Sequence, residues 1–205
     1  MTVVAIDGPA GAGKSTVART VAAELGFTYL DSGAMYRCVA LAALERDASP
    51  AAIAPALTIS LEDRVLLDGR DVTRAIRAPA VSEGASRAAA DPVVREAMVA
   101  EQRRLLAHGD WVAEGRDIGT IVAPEAEVKV FLTANPAERA RRRAAELGGD
   151  EATVLAEQTI RDERDSTRDH APLAPAPGAV MLDTTGLSLE QTVARVVAMV
   201  VALRR

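Results

Sequence analysis

The residues best suited to chemistry lie near the N-terminus, in the segment Gly8-Pro9-Ala10-Gly11-Ala12-Gly13-Lys14-Ser15. This segment matches the pattern G-x-x-x-x-G-K-[ST] at every fixed position. Glycines let successive backbone N–H groups turn inward around an anion, and the helix that follows adds the positive end of its dipole. In such loops the lysine reaches the β- and γ-phosphates and the serine hydroxyl holds Mg²⁺. We therefore predict a nucleoside triphosphate site over residues 8–16, which includes Thr16, with Lys14 on the phosphates and Ser15 on the metal.

The use of lysine in this chain singles out the same loop. Of the 24 basic residues, only Lys14 and Lys129 are lysines, and the others are arginines. A lysine in such a chain indicates a position that needs a compact ammonium rather than a guanidinium fork. Lys14 stands at such a position, whereas Lys129, in a predicted strand, has no comparable role.

The elements that position this loop follow from the apolar pattern. We predict core strands at 3–6, 27–30, 111–113, 128–132 and 180–182. We predict helices at 14–26, 33–46, 79–90, 92–108, 136–147, 151–168 and 189–203. Alternating strands and helices imply an α/β fold, with a parallel sheet flanked by helices. Ligands bind outside the carboxyl ends of such strands, so we expect segments 8–15, 31–37 and 114–117 to converge on one cleft.

Residues 48–91 follow a different pattern. Asp68-Gly69 is a two-residue hairpin signal between the apolar segment 65–67 and the segment around Val72. With residues 57–61 this predicts a small antiparallel β subdomain inserted into the α/β core.

Composition excludes several classes of protein. A net charge of −5 argues against a general nucleic-acid binder, which needs a basic surface. No apolar run reaches the roughly 20 residues that span a bilayer, and the N-terminal segment lacks the basic leader of a signal peptide. Cys38 is the only cysteine, so we expect a reduced, cytoplasmic setting and no membrane partner.

A second cluster of charge lies late in the chain. Arg161, Arg164, Asp165 and Arg168 follow a spacing that places them on one helix face. From spacing alone this face is either solvated and salt-bridged or a phosphate-binding surface. The phosphate loop itself does not name the reaction, because such loops serve switches, motors and kinases alike.

The motifs of the whole chain resemble those of the bacterial cytidylate kinases, which belong to the P-loop nucleoside monophosphate kinases. The resemblance covers essentially the full length. It rests on Ile6-Asp7-Gly8-Pro9 before the loop and on the segments 30–37 (LDSGAMYR), 113–120 (AEGRDIGT), 161–165 (RDERD) and 171–173 (APL).

The resemblance implies transfer of the γ-phosphoryl group of ATP to CMP or dCMP, with Mg²⁺, as part of pyrimidine metabolism. It implies that Arg37 and Arg116 grip the acceptor phosphate, with Tyr36 beside them. Asp117 would accept from the N4 amino group of cytosine, the natural partner of a carboxylate. The residues implied in acceptor binding are Ser32, Tyr36, Arg37, Ser86, Arg95, Arg116, Asp117, Arg161, Asp165 and Arg168, with Asp165 on the ribose hydroxyls.

The resemblance also implies a division of the chain. The kinase core would comprise residues 1–47, 92–135 and 170–205, the monophosphate-binding insertion residues 48–91, and an arginine-rich lid residues 136–169. Either Arg142 or Arg143 would touch the donor phosphates, while Lys14, Arg116 and Arg161 would stabilise the transferring group. We expect a monomer.

Two alternatives stay open from the residues themselves. A kinase with another acceptor, such as UMP, AMP or a small hydroxylated metabolite, would share the loop. A nucleotide-dependent switch or binding module would share it too, but a guanine-specific switch normally carries Asn-Lys-x-Asp, and here Asn135 precedes Pro136. Glu114 either orients a magnesium-bound water or holds an arginine in place.

Overall fold

The structure is a computed structural model that describes residues 1–203, and only the backbone of residues 146 and 147. The last two residues of the predicted core segment 170–205 lie outside the described residues. Contacts divide the chain into two compact units, Met1–Tyr29 with His108–Arg205, and Leu30–Ala107.

The elements are numbered in chain order. The strands are β1 Val3–Asp7, β2 Thr28–Asp31, β3 Ile59–Leu61, β4 Val65–Leu67, β5 Arg70–Asp71, β6 Trp111–Gly115, β7 Val128–Thr133 and β8 Val180–Asp183. The helices are α1 Lys14–Leu25, α2 Ser32–Arg46, α3 Pro50–Ile53, α4 Pro79–Ala88, α5 Pro92–Leu106, α6 Pro136–Leu147, α7 Glu151–Thr167 and α8 Leu189–Leu203. All five predicted core strands and all seven predicted helices are present, with ends that differ by a few residues.

The first unit is built on the central sheet, whose five strands run in the order β2-β6-β1-β7-β8. Strand β1 pairs in parallel with both β6 and β7, and β7 pairs in parallel with β8. Every residue of β1 is buried, as its continuous apolar run predicts for a central parallel strand. Strand β2 begins in this unit and ends in the other. The predicted parallel α/β architecture is confirmed.

Helices α1 and α8 cover this sheet and complete its core. The core cluster includes Val4 and Ile6 of β1, Val21 of α1, Leu132 of β7 and Val196 of α8. Since these side chains are 0% exposed, the strand that precedes the phosphate loop and the helix that follows it are both fixed by apolar packing.

The helices begin where the sequence predicts capping side chains. The carboxylates of Asp31 and Asp91 accept hydrogen bonds from backbone N–H groups in the first turns of α2 and α5. Asn135 does the same for α6. Ser188 and Gln191 bond reciprocally, 3.0 and 3.2 Å, and form the predicted capping box before α8.

The second unit contains α2 to α5 and a separate antiparallel sheet in the order β3-β4-β5. Asp68 and Gly69 both have positive φ, 50° and 80°, and form the predicted hairpin turn between β4 and β5. Ion pairs join this turn to the end of α2, from Arg46 to Asp68 and from Arg70 to Glu45. Strand β5 ends at Asp71, and Val72 packs into the core immediately after it.

Several short elements were not predicted. They are α3, two turns of 3₁₀ helix at Ala54–Ala56 and Ala75–Arg77, and one turn of π-helix at Ile118–Val122. These segments are too short to show a helical period in the sequence. Among the described residues, no helix combines the length and apolar character needed to cross a membrane.

Candidate active site

The phosphate loop leaves the sheet at the end of β1 and enters α1. Gly8 has a φ of 149°, and a Cβ there would lie 2.0 Å from the carbonyl oxygen of Leu132, so only glycine fits this close approach. Gly13 adopts the left-handed conformation at the N-cap of α1, which directs the chain into the helix. The loop thus has the strand–loop–helix context that the motif requires.

Lys14 is buried at the first position of α1. It is 7% exposed, and its Nζ donates to the carbonyl oxygen of Pro9 at 2.8 Å. Burial, followed by the positive charge of Arg116, lowers the pKa of Lys14 from 10.5 to about 7, and the charge of Arg161 acts in the same direction. Glu114 and Asp7 raise it in part. Three cationic side chains therefore influence one another at the phosphate loop, a field that suits an anionic ligand.

Arg116 and Asp117 directly follow β6. Because Asp7 pairs in register with Gly115, the phosphate loop and this pair leave the sheet at the same edge. The Nε of Arg116 donates to Asp165 Oδ2 at 3.0 Å, so the strand end and α7 are joined by a partly buried ion pair. Glu114, just before them, accepts from the hydroxyl of Tyr29 at 2.6 Å.

Asp7 is a functional candidate that sequence reasoning missed. Its carboxylate is 3% exposed and accepts the backbone N–H groups of Ile118 and Gly119 at 2.9 and 2.8 Å. Burial, together with the charge of Asp117, raises the pKa of Asp7 to about 6, although these two hydrogen bonds oppose the shift. Asp7 therefore fixes the turn that follows Asp117. An acid at the end of an apolar strand, next to the loop, was the available signal.

The predicted lid arginines lie on α6. Arg142 donates to the carbonyl oxygen and hydroxyl of Thr184 at 2.9 and 3.0 Å and to Glu138 at 3.0 Å. Its Nη1 is 4.0 Å from the position of a Cβ on Gly13, so this guanidinium lies beside the phosphate loop. Arg143 is partly buried one residue further on.

The remaining predicted residues of this unit lie on or beside α7. Asp165 is 4% exposed and Arg161 is partly buried on the same helix. Arg168 ends the helix, where its Nε donates to the carbonyl oxygen of Ala171. Ion pairing with Arg116 and burial show that this face of α7 is not simply solvated.

The second unit carries the other predicted acceptor residues. Ser32 and Tyr36 are buried in the first turns of α2, Ser86 is buried on α4, and Arg95 is buried on α5 with Nη1 3.4 Å from the carbonyl oxygen of Ala89. Arg37 donates to Asp31 Oδ2 at 2.9 Å. These buried polar and charged side chains, spread over three helices of one unit, are groups of this unit that could bind a polar ligand.

Two further side chains that touch the phosphate loop were missed. Arg139 and Asp162, from α6 and α7, both bond to the backbone of Ala10. Each stands in a segment that the sequence marked as arginine-rich or charged, but nothing in the spacing distinguishes them from their neighbours.

Ser15 is the residue that fits a metal. It is exposed at the second position of α1, next to Lys14. A hydroxyl oxygen is a ligand that Mg²⁺ accepts, and Mg²⁺ bound with a triphosphate takes its other ligands mainly from phosphate and water.

The parallel sheet, the phosphate loop and the cationic side chains around it define a nucleotide-binding protein of the P-loop class. Solved structures of similar fold include a gluconokinase from Sinorhizobium meliloti, 18% identical with a TM-score of 0.53 over 98% of this chain and 93% of that one. An uncharacterized protein from Eubacterium ventriosum has a TM-score of 0.58 at 12% identity, over 97% of each chain. These likenesses concern the fold alone.

Sequence comparison is more specific. Residues 4–202 match the family described as cytidylate kinase. A cytidylate kinase of Pelotomaculum thermopropionicum is 48% identical over 98% of this chain and 97% of its own length. One of Solibacter usitatus is 52% identical over 92% of this chain and 88% of its own. The chain belongs to the cytidylate kinase family and is a nucleoside monophosphate kinase, which excludes the alternative of a switch without transfer chemistry.

Proposed function

We propose that the chain transfers the γ-phosphoryl group of ATP to CMP or dCMP, giving ADP and CDP or dCDP, within pyrimidine metabolism in the cytoplasm. The observation that carries the assignment of roles is the buried Lys14, whose pKa is lowered by burial and by Arg116 and Arg161. These side chains create a positive potential, which the negative charge of a bound phosphoryl group would compensate.

The donor side of the reaction belongs to residues 8–16. Backbone N–H groups of the loop would bind the β- and γ-phosphates, and Lys14 would stabilise the negative charge that develops on the leaving oxygen. Arg142 or Arg143 would add a guanidinium from the segment 136–169, which we propose as the lid. Mg²⁺, held with the help of the Ser15 hydroxyl, supplies further neutralisation of the phosphate oxygens when bound.

For the acceptor nucleotide, the family resemblance supplies the proposed contacts residue by residue. Arg37 and Arg116 would hold the monophosphate, and Asp117 would accept the N4 amino group of cytosine. Ser32, Tyr36, Ser86 and Arg95 would contact the nucleotide, while Arg161, Asp165 and Arg168 would bind sugar and phosphate. Segment 48–91 is the proposed monophosphate-binding insertion, and a single copy of the chain would suffice.

The chemistry requires no general base, because the attacking atom is already an anionic phosphate oxygen. Catalysis would come from aligning two anions and from spreading their charge over Lys14, Arg116 and Arg161. Closure of the lid would exclude water, which otherwise accepts the phosphoryl group.

The experiment is an assay of ADP formation with ATP, Mg²⁺ and a panel of monophosphates. We expect rapid turnover with CMP and dCMP and much slower turnover with UMP and AMP. Preference for UMP or AMP over both cytosine nucleotides would defeat the proposed acceptor specificity.

A further inference from the structure

One ion pair binds both backbone polar groups of Ala10 in the phosphate loop. The Nη1 of Arg139 donates to the Ala10 carbonyl oxygen at 2.8 Å, and Asp162 Oδ1 accepts the Ala10 N–H at 3.0 Å. Arg139 Nη1 also donates to Asp162 Oδ2, so the two side chains bind each other as well as the loop. Because Arg139 lies on α6 and Asp162 on α7, both lid helices reach the loop at this residue.

A second contact extends this support by one residue. Gln158 precedes Asp162 by one turn of α7 and therefore lies on the same helix face. Its Nε2 is 3.4 Å from the Arg139 carbonyl oxygen. A Cβ on Gly11 would lie 2.5 Å from that Nε2 and 3.0 Å from the same carbonyl oxygen. The loop and the two helices therefore pack directly on each other across Ala10 and Gly11.

The surroundings make these bonds strong. The side chains of Arg139 and Asp162 are only 10% and 18% exposed. Charge-assisted hydrogen bonds of this kind are stronger than neutral ones, and removing one partner leaves the other charge buried without compensation. The Nε of Arg139 also donates to the Ala134 carbonyl oxygen at 3.2 Å, which fixes the guanidinium relative to the end of β7.

We infer that Arg139 and Asp162 are positioning residues for the donor site, which hold the phosphate loop in its binding shape and join it to α6 and α7. The Ala10 N–H then stabilises the loop itself, and the phosphates are bound by the N–H groups of the residues that follow Ala10. Neither residue needs to touch either nucleotide. The inference rests on the proposed function, because it assigns donor binding to this loop.

The test compares Asp162→Ala and Asp162→Asn with Glu163→Ala, an exposed acid on the same helix. Arg139→Gln is compared with Arg141→Ala, which removes an exposed arginine from the same helix. For each variant, KM is measured for ATP and for CMP, along with kcat, the melting temperature and the affinity for a non-hydrolysable ATP analogue.

We expect Asp162→Ala to raise KM for ATP and Kd for the analogue roughly ten-fold, the effect of losing a hydrogen bond to a charged group. KM for CMP should stay unchanged. Asp162→Asn should have a smaller effect, since its amide oxygen can still accept the Ala10 N–H. Both control variants should behave as the unmodified chain.

An Asp162→Ala protein with unchanged affinity for ATP would overturn the inference. Equal increases in both KM values, together with a lower melting temperature, would also overturn it, because they would indicate general destabilisation. If Asp162→Ala does not fold, Asp162→Asn and Arg139→Gln decide by the same criteria. Failure of the unmodified chain to phosphorylate CMP would instead defeat the proposed function, so the two failures are distinct.

Discussion

The phosphate loop and the start of α2 hold their functional groups in different ways. The loop offers mainly backbone, and contacts from several elements fix it: Leu132 crowds Gly8, the Arg139–Asp162 pair binds Ala10, and Lys14 bonds to Pro9. The first turns of α2 offer side chains, and the N-cap residue Asp31 holds one of them, Arg37, while it caps the helix. Its Oδ1 accepts the Ala34 N–H at 2.8 Å and its Oδ2 accepts from Arg37 at 2.9 Å.

The two arrangements imply different sensitivities to substitution. The proposed triphosphate site consists mainly of backbone groups. Removing the side chains that support the loop, or its single lysine, would therefore impair triphosphate binding. In the proposed acceptor site, which consists of side chains, each substitution would remove one contact and affect one feature of the nucleotide.

Removal of Lys14 should produce the largest effect. Lys14→Ala should lower kcat about a thousand-fold, the upper range for one group that stabilises transition-state charge. It should not lower the melting temperature at pH 8, because the lowered pKa of Lys14 shows that burial of its ammonium opposes folding. Steady-state kinetics and a melting curve measure both.

Lys129→Ala, which removes the other lysine, serves as the matched control. In its described contacts, Lys129 lies within hydrogen-bond reach of the Pro177 carbonyl oxygen only. Near-normal turnover in Lys14→Ala would contradict the proposed role of the loop.

Replacement of Asp117 should have the next largest effect and should concern the acceptor. Asp117→Ala should raise KM for CMP about ten- to a hundred-fold, as expected for loss of a specific contact to a base, while KM for ATP changes little. Glu125→Ala, an exposed acid eight residues later, provides the control. An unaltered preference among the monophosphates would contradict the assignment of Asp117 to the cytosine amino group.

Replacement of Asp7 should change how stability depends on pH. The folded pKa of Asp7 is raised from 3.8 to about 6, so its contribution to stability is fully present below pH 3.8 and is lost as the pH rises through 6. Asp7→Asn cannot titrate. The melting temperature of the variant, relative to the unmodified chain, should therefore rise between pH 4 and pH 7. A constant difference over this range would show that Asp7 does not titrate as described.

Binding of ATP should be accompanied by proton uptake, and this is the smallest of the expected effects. At about pH 8.5 most Lys14 side chains are neutral when the pKa is about 7, and the triphosphate raises that pKa by favouring the ammonium. Calorimetry in two buffers of different ionisation heat should detect uptake of up to about one proton per ATP bound. No uptake, with ATP bound normally, would contradict a neutral Lys14 in the free chain.

The fold and the conformation of the phosphate loop were predictable for a physical reason. The fixed glycines Gly8 and Gly13 answer backbone requirements, and the caps at Asp31, Asp91, Asn135 and Ser188 satisfy local N–H groups. These causes act over a few residues and leave a pattern in the sequence. The family resemblance, confirmed by comparison, added the activity.

The support of the site was not predictable in the same way. Asp7 bonds to residues more than a hundred positions away, and Arg139 and Asp162 bond to Ala10 across a similar span. Such bonds depend on tertiary structure, and a charged residue in a charged segment carries no sign of them. The residue-level roles of the acceptor site likewise came from resemblance, and they stay predictions.

The decisive experiment is a crystal structure of the chain with CMP, Mg²⁺ and a non-hydrolysable ATP analogue. We predict the triphosphate in the loop of residues 8–15, Lys14 on its terminal phosphates, and the cytosine amino group within hydrogen-bond distance of Asp117. A pyrimidine bound far from Asp117, or a triphosphate outside the loop, would contradict the proposed mechanism.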